Sequence, residues 1–231
     1  MKVSCRLVLV ALATAGVTGC RGREAASPSG ASAGVADLDQ DRLTPSQTVR
    51  QMSALRTARR YVELRRFIEP EKASKVIEFL LAMDELLAAN DVVREAVRER
   101  LGARLAGGWD LDVLKDRQGL FSPVIRVVDE RVEGSDASVT VQVADRVPLE
   151  TVRLRRLEGR WTYCPMSEVG ELPRALRGLS RALRRVALAV EAGPITEEGI
   201  RAEFRVRVLP QLKNIELAAG AFDRQPVRGL R

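Results

Sequence analysis

Three features of the 231-residue sequence predict an α+β fold, with N-terminal helices, then an antiparallel sheet, and a C-terminal helical hairpin after it. Apolar residues recur every three to four positions from residue 44 to about residue 105. They alternate with polar residues at every second position between about 123 and 164. The helical period returns from residue 172. Helices gathered before strands, rather than interleaved with them, belong to an α+β chain and not to a parallel α/β sheet.

The first helix begins at Thr44. "TPSQ" supplies an N-cap Thr, Pro45 at the first helical position and Gln47 three residues after the cap, the composition of a capping box. Val49, Met52, Leu55, Ala58, Val62 and then Phe67 make a broad apolar face. The arginines at 50, 56, 59, 60, 65 and 66 lie mostly off it, as a solvated face or as a surface for an anionic partner. Glu69-Pro70-Glu71 ends this helix and starts a second, with Val76, Ile77, Leu80, Leu81, Asp84 and Leu87 in helical register. Asp84 is the one polar member of that stripe. Asn90-Asp91 restarts the chain. Val92, Val93, Ala96, Val97, Leu101 and Leu105 form a third stripe, which Gly107-Gly108 stops.

The period then changes. "SPVIRVVDERVEG" is rich in β-branched residues. "SVTVQVAD" sets Val139, Val141 and Val143 against Ser138, Thr140 and Gln142. "TVRLRRL" sets Val152 and Leu154 against Arg153 and Arg155. Glu158-Gly159 is a tight turn, and "RWTYC" returns with Trp161 and Tyr163 on one face. Short alternating strands joined by glycine-containing turns predict a half-buried antiparallel sheet.

Residues 172–191, "LPRALRGLSRALRRVALAVE", are the most two-sided segment of the chain. Leu172, Leu176, Leu179, Leu183, Val186 and Val190 make one stripe. Arg174, Arg177, Arg181, Arg184 and Arg185 make another. Such a helix either packs its leucines inward with arginine outward, or lies on an anionic membrane surface. Its lack of Trp and Phe favours packing. After Ala192-Gly193-Pro194 the chain turns. Thr196 caps a last helix, Ile195 staples to Ile200, and Ile200, Phe204, Val208, Leu212 and Ile215 carry its apolar face. Pro210 should kink or interrupt it. Two apolar stripes across a short turn predict an αα-hairpin.

Ahead of all this stands an unlike segment. "MKVSCR" brings Lys2 and Arg6, and "LVLVALATAGV" is an apolar run too short to span a bilayer, which needs about 20 residues. Size and flanks fit a secretory signal peptide. Val17-Thr18-Gly19-Cys20 resembles the lipobox of bacterial lipoproteins: an aliphatic residue, a small residue, Gly or Ala, then Cys. The resemblance implies that the Cys20 thiol receives diacylglyceryl and that cleavage falls between Gly19 and Cys20. Acylation of the new amino group, by palmitate or a similar chain, then completes the anchor. It also implies a bacterial cell-envelope location, membrane-anchored on the exported side, with the leaflet left open. Residues 21–43 are rich in Gly, Ser, Ala and Pro and read as a flexible tether with a reach of roughly 25 Å. The expected organisation is therefore a signal peptide at 1–19, lipidated Cys20 and linker at 20–43, an α+β domain at 44–165, and a helical hairpin and tail at 166–231.

"VRLRRLEGRWTYC", residues 152–164, resembles the last hairpin of the cystatin-like cone domains of the nuclear transport factor two-like superfamily, which occur in bacterial envelope lipoproteins. That resemblance covers about 44–165 and implies helices against a curved sheet. It implies no single activity, because the superfamily is defined by shape.

Chemistry is constrained more by what is missing. The sequence has no histidine, which excludes Ser-His-Asp and Cys-His catalysis and His-ligated metals. Cys5, Cys20 and Cys164 show no metal-ligand spacing. Once Cys5 leaves with the leader and Cys20 takes lipid, Cys164 is a small packed hydrophobe, a partner in an intermolecular disulfide or a reactive thiol. No glycine-rich phosphate loop occurs. The formal charge of +7 and a pI of about 9.9 indicate a mildly basic surface, two charges of which sit in the leader. Aromatic residues make up only 4% of the chain, too few for stacking on nucleic-acid bases. No cofactor and no metal are expected. The leading expectation is a non-catalytic, lipid-anchored module that binds a protein, an envelope polymer or a small ligand. Alternatives are a membrane-surface or polyanion binder acting through 172–191, and an enzyme using carboxylates in a cone-shaped pocket. For that enzyme Asp84, Asp110, Asp112 and Asp116 are the candidates beside Trp109. "GGWDLD" reads more simply as a helix start with Trp109 packed and Asp110 as cap.

Overall fold

Contacts within the computed structural model, which describes residues 42–109, 119–144, 149–165 and 169–223, divide into two units. Residues 42–73, 119–144 and 149–165 belong to a sheet-containing unit, and residues 74–109 and 169–223 to a helical one. The leader, Cys20, most of the linker, and Asp110, Asp112 and Asp116 lie outside the described residues. The fold is α+β, as the order of periods predicts.

In the sheet unit Thr44 starts helix α1 (Pro45–Thr57) with both halves of a capping box. The Gln47 amide donates to Thr44 Oγ1 at 3.2 Å and the Thr44 amide donates to Gln47 Oε1 at 2.8 Å. Val49, Met52 and Leu55 are buried. The helix does not run on to Phe67. It ends at Thr57, because Arg59 turns into the left-handed region at φ 56°. The Arg60 amide then donates to Leu55 O at 2.9 Å and the Arg59 amide to Arg56 O at 3.0 Å, the bond pattern of a Schellman stop. The break throws Val62 outward, 78% exposed, while Leu64 and Phe67 are buried on a short helix α2 (Tyr61–Leu64) and the turn after it.

The sheet is an open antiparallel meander in the order β1 (Ile125–Glu133), β2 (Asp136–Val143), β3 (Glu150–Leu157) and β4 (Arg160–Tyr163). Its alternation is as the sequence predicts: Val139, Val141, Val143, Val152 and Leu154 are buried, and Val139 sits opposite Val152. Glu158 and Gly159 both adopt positive φ, which the two-residue β3–β4 turn requires. Opposite charges face each other where Arg155 Nε meets Asp136 at 3.1 Å across the β2–β3 pair. Two features were not legible. A bulge between Val127 and Asp129 shifts the register of β1 by one residue and leaves Val128 half out. The shift turns Glu130 toward α1, where its carboxylate accepts from the Ser46 amide at 2.8 Å and caps the helix N-terminus. On the far side, Ile68 bridges Tyr163 in parallel, and the Glu69 amide donates to Tyr163 O at 3.0 Å.

Helix α3 (Pro70–Leu101) enters the helical unit. At about 1.5 Å per residue, its 32 residues extend about 48 Å. Asn90-Asp91 does not restart the chain. Asn90 is buried inside α3, and its Nδ2 donates to the Trp109 carbonyl at 2.7 Å, so a tertiary partner absorbs the amide that would otherwise compete with the helix. The stop comes at Gly102, φ 90°, rather than at Gly107-Gly108. A short helix α4 (Ala103–Ala106) and a tight turn through Gly107–Trp109 follow.

Helix α5 (Leu172–Glu191) buries all six residues of its predicted apolar stripe. Its return partners are α6 (Glu197–Glu203) and α7 (Leu209–Asp223), which complete the expected hairpin. Thr196 caps α6, accepting from the Gly199 amide at 3.1 Å. Pro210 neither breaks the path nor leaves it regular. A π-helical turn at Phe204–Val208 precedes α7, and the Leu209 amide donates to Phe204 O five residues back. Arg177 Nη1 lies 2.6 Å from Glu78 near the start of α5, and Arg100 Nη2 donates to Glu191 O at 3.1 Å at its end. These two ties make α3 and α5 parallel neighbours.

Candidate functional site

Of the candidates named from sequence, Asp84 and Trp109 lie among the described residues, and Asp110, Asp112 and Asp116 do not. Asp84 is half-buried on α3. The buried ridge of that helix runs through Val76, Leu80, Met83 and Leu86, so Asp84 falls at its margin beside Ile77. Trp109 packs edge-on against Phe204, with ring centroids 5.5 Å apart. That fits the packed Trp109 of the "GGWDLD" reading, whose Asp110 cap lies outside the described residues. Among the described residues no cluster of His, Cys, Asp or Glu is arranged to hold a metal.

Cys164 is a free, half-buried thiol just after β4. Its amide donates to Arg153 O at 3.1 Å, which extends the β3–β4 pairing by one residue. Burial, and next the nearby Glu69 carboxylate, push the thiol above its ordinary range. A thiol held protonated is a poor nucleophile, so its surroundings favour the packed hydrophobe over the reactive group. Next to it, desolvation pushes the Tyr163 phenol up from 10.0 to about 12, although part of the residue reaches the surface. The ring meets Phe121 edge-on at 5.8 Å.

The most organised polar region is on α5. A shallow cleft of about 460 Å³ opens at the helix start, lined by Glu78, Glu171, Pro173, Arg174, Arg177 and Arg181. Arg177 is committed there, to Glu78 at 2.6 Å and Glu85 at 3.8 Å. Arg174 reaches Glu171 only at 3.8 Å, with both side chains largely in solvent, so that pair contributes little. Arg181, Arg184 and Arg185 are exposed and have no acidic partner among the described residues. This arrangement attracts anions and contains no nucleophile beside a base. The apolar stripe that would sink into a membrane is buried, so any contact of α5 with an anionic surface runs through the arginine face.

No helix among the described residues is long and apolar enough to cross a membrane. Comparison with known protein families, with curated proteins and with solved structures finds no match to this chain.

Proposed function

We propose that this chain is a bacterial envelope lipoprotein, anchored through lipid on Cys20, whose folded part is a non-catalytic interaction module. The observation that carries the reading is Val17-Thr18-Gly19-Cys20 directly behind a short apolar run with a basic start. A Gly/Ser/Ala/Pro-rich tether after the cysteine supports it, since an anchored domain needs slack to clear the headgroups. The absence of histidine and the dispersed, ion-paired polar residues support a binding role over catalysis. Stable anchoring takes two or more acyl chains, which diacylglyceryl addition provides.

The test is labelled-palmitate incorporation and membrane fractionation in a bacterial host. The parent chain takes up label and sediments with membranes. Cys20→Ala takes up none and is released from the membrane while its folded units keep their circular dichroism. Label on Cys20→Ala, or an unlabelled parent, overturns the assignment.

A further inference from the structure

We infer that the outer face of α5 is a peripheral docking surface for anionic lipid headgroups, built from Arg174, Arg181, Arg184 and Arg185 around Leu188. Successive helical residues are set about 100° apart. On that wheel these four arginines, Arg177 and Leu188 all fall within an arc of about 100°, with Leu188 near its middle. The buried stripe of Leu172, Leu176, Leu179, Leu183, Val186 and Val190 is centred almost opposite. Leu188 is 63% exposed, the one large apolar side chain of α5 turned to solvent. It stands one turn from Arg184 and Arg185 and two turns from Arg181.

Charge and apolar contact thus share one face. The three arginines have no acidic partner among the described residues, so the Coulomb attraction to phosphate is gained without breaking an ion pair there. Arg177, held by Glu78, stiffens the start of the ridge. A single exposed leucine among arginines suits the headgroup boundary, where basic side chains reach phosphate and an apolar one enters the acyl margin. It suits a base-reading surface less, because that recruits aromatic side chains to the centre. The docking surface is independent of the lipid itself. The anchor only raises the local concentration at which the surface operates, and to that extent the inference rests on the reading above.

Vesicle sedimentation of the full chain carrying Cys20→Ala tests the surface without lipid. The parent should prefer phosphatidylglycerol-containing vesicles over pure phosphatidylcholine and lose that preference in high salt. Arg181→Gln, Arg184→Gln and Arg185→Gln together should weaken binding to the anionic vesicles on the order of a hundredfold, about fivefold for each charge near the surface. The triple variant should keep the parent's thermal unfolding, because all three side chains are exposed. Replacing Arg50, Arg66 and Arg153, three exposed arginines of the sheet unit, should leave binding within about twofold if location rather than net charge decides. Equal loss from both triples overturns the inference. So does undiminished binding by the α5 triple, or binding to soluble heparin without binding to vesicles. Because lipid attachment is absent from every arm, failure here leaves the palmitate result untouched.

Discussion

Arginine serves opposite ends in the two units. In the sheet unit two guanidinium groups are packing material. Arg56 is buried, donates through Nη1 to Tyr61 Oη at 2.6 Å and lies 5.5 Å from the centre of that ring. Arg156 lies 5.8 Å from the centre of the Trp161 ring, and its Nε donates to Gly159 O at 3.1 Å, so it closes the β3–β4 turn. On α5 three of the five arginines are exposed with no acidic partner among the described residues. The difference teaches that a basic composition is not one property. A guanidinium stacked and hydrogen-bonded contributes order to the fold, whereas one left unpaired on a ridge contributes field to the surroundings.

That contrast predicts where each unit is fragile. The helical unit should fail through its leucines. Leu176 is fully buried, and Leu176→Ala should cost about 3 kcal/mol, by transfer and cavity together. Urea unfolding should show a lower midpoint, and a loss below about 1 kcal/mol would mean that the stripe is not the seam that holds α5 in place.

The sheet unit should fail through titration at high pH. Tyr163 titrates near 10 when unfolded and near 12 when folded. Its contribution is therefore complete below pH 10 and is lost as pH rises toward 12, because the unfolded chain sheds its proton first. Allowing for the part of the residue that meets solvent, the loss is at most about 2 kcal/mol. Cys164, also raised, acts in the same direction. Tyr163→Phe should flatten the decline of thermal stability between pH 10 and 12, measured as the difference from the parent. Parallel declines would remove Tyr163 from the explanation.

The smallest effect should be common to both units. Thr44→Ala and Thr196→Ala each remove a side-chain acceptor from a helix start and should cost about 1 kcal/mol. Thr44→Ala should cost less than Thr196→Ala, because Glu130 still accepts from the Ser46 amide. Hydrogen exchange in the first turns of α1 and α6 would rank them, and the reverse order would count against Glu130 as a second cap.

Local chemistry explains which features were readable. Thr44 and Thr196 announce caps because their hydroxyls satisfy nearby amides, and Val139, Val141 and Val143 announce a face because the strand period is two. What escaped depends on contacts far along the chain. The stop after Thr57 uses arginine, not glycine, in the left-handed position, and nothing in the local pattern marks Arg59 for it. Asn90 looks like a break until Trp109, 19 residues later, supplies its carbonyl. The β1 bulge has no glycine signature, yet it decides that Glu130 meets Ser46. At the candidate surface the Arg/Leu division of α5 was plain in the sequence. That Leu188 sits among the arginines follows from the same period, but that it remains uncovered is a property of the folded chain.

An open sheet has two rims, and each is a template on which a second copy could add a strand. Here both rims are blunted. On one, Ile68 already pairs with Tyr163, alongside a β4 only four residues long. On the other, β1 is kinked at Val128 and carries Asp129, Glu130, Arg131 and Glu133 in succession around Val132. A chain anchored in the plane of a membrane, as proposed above, would meet its own kind far more often than one free in solution. With both sheet rims blunted, strand addition between copies is disfavoured, and self-association is left to side-chain surfaces.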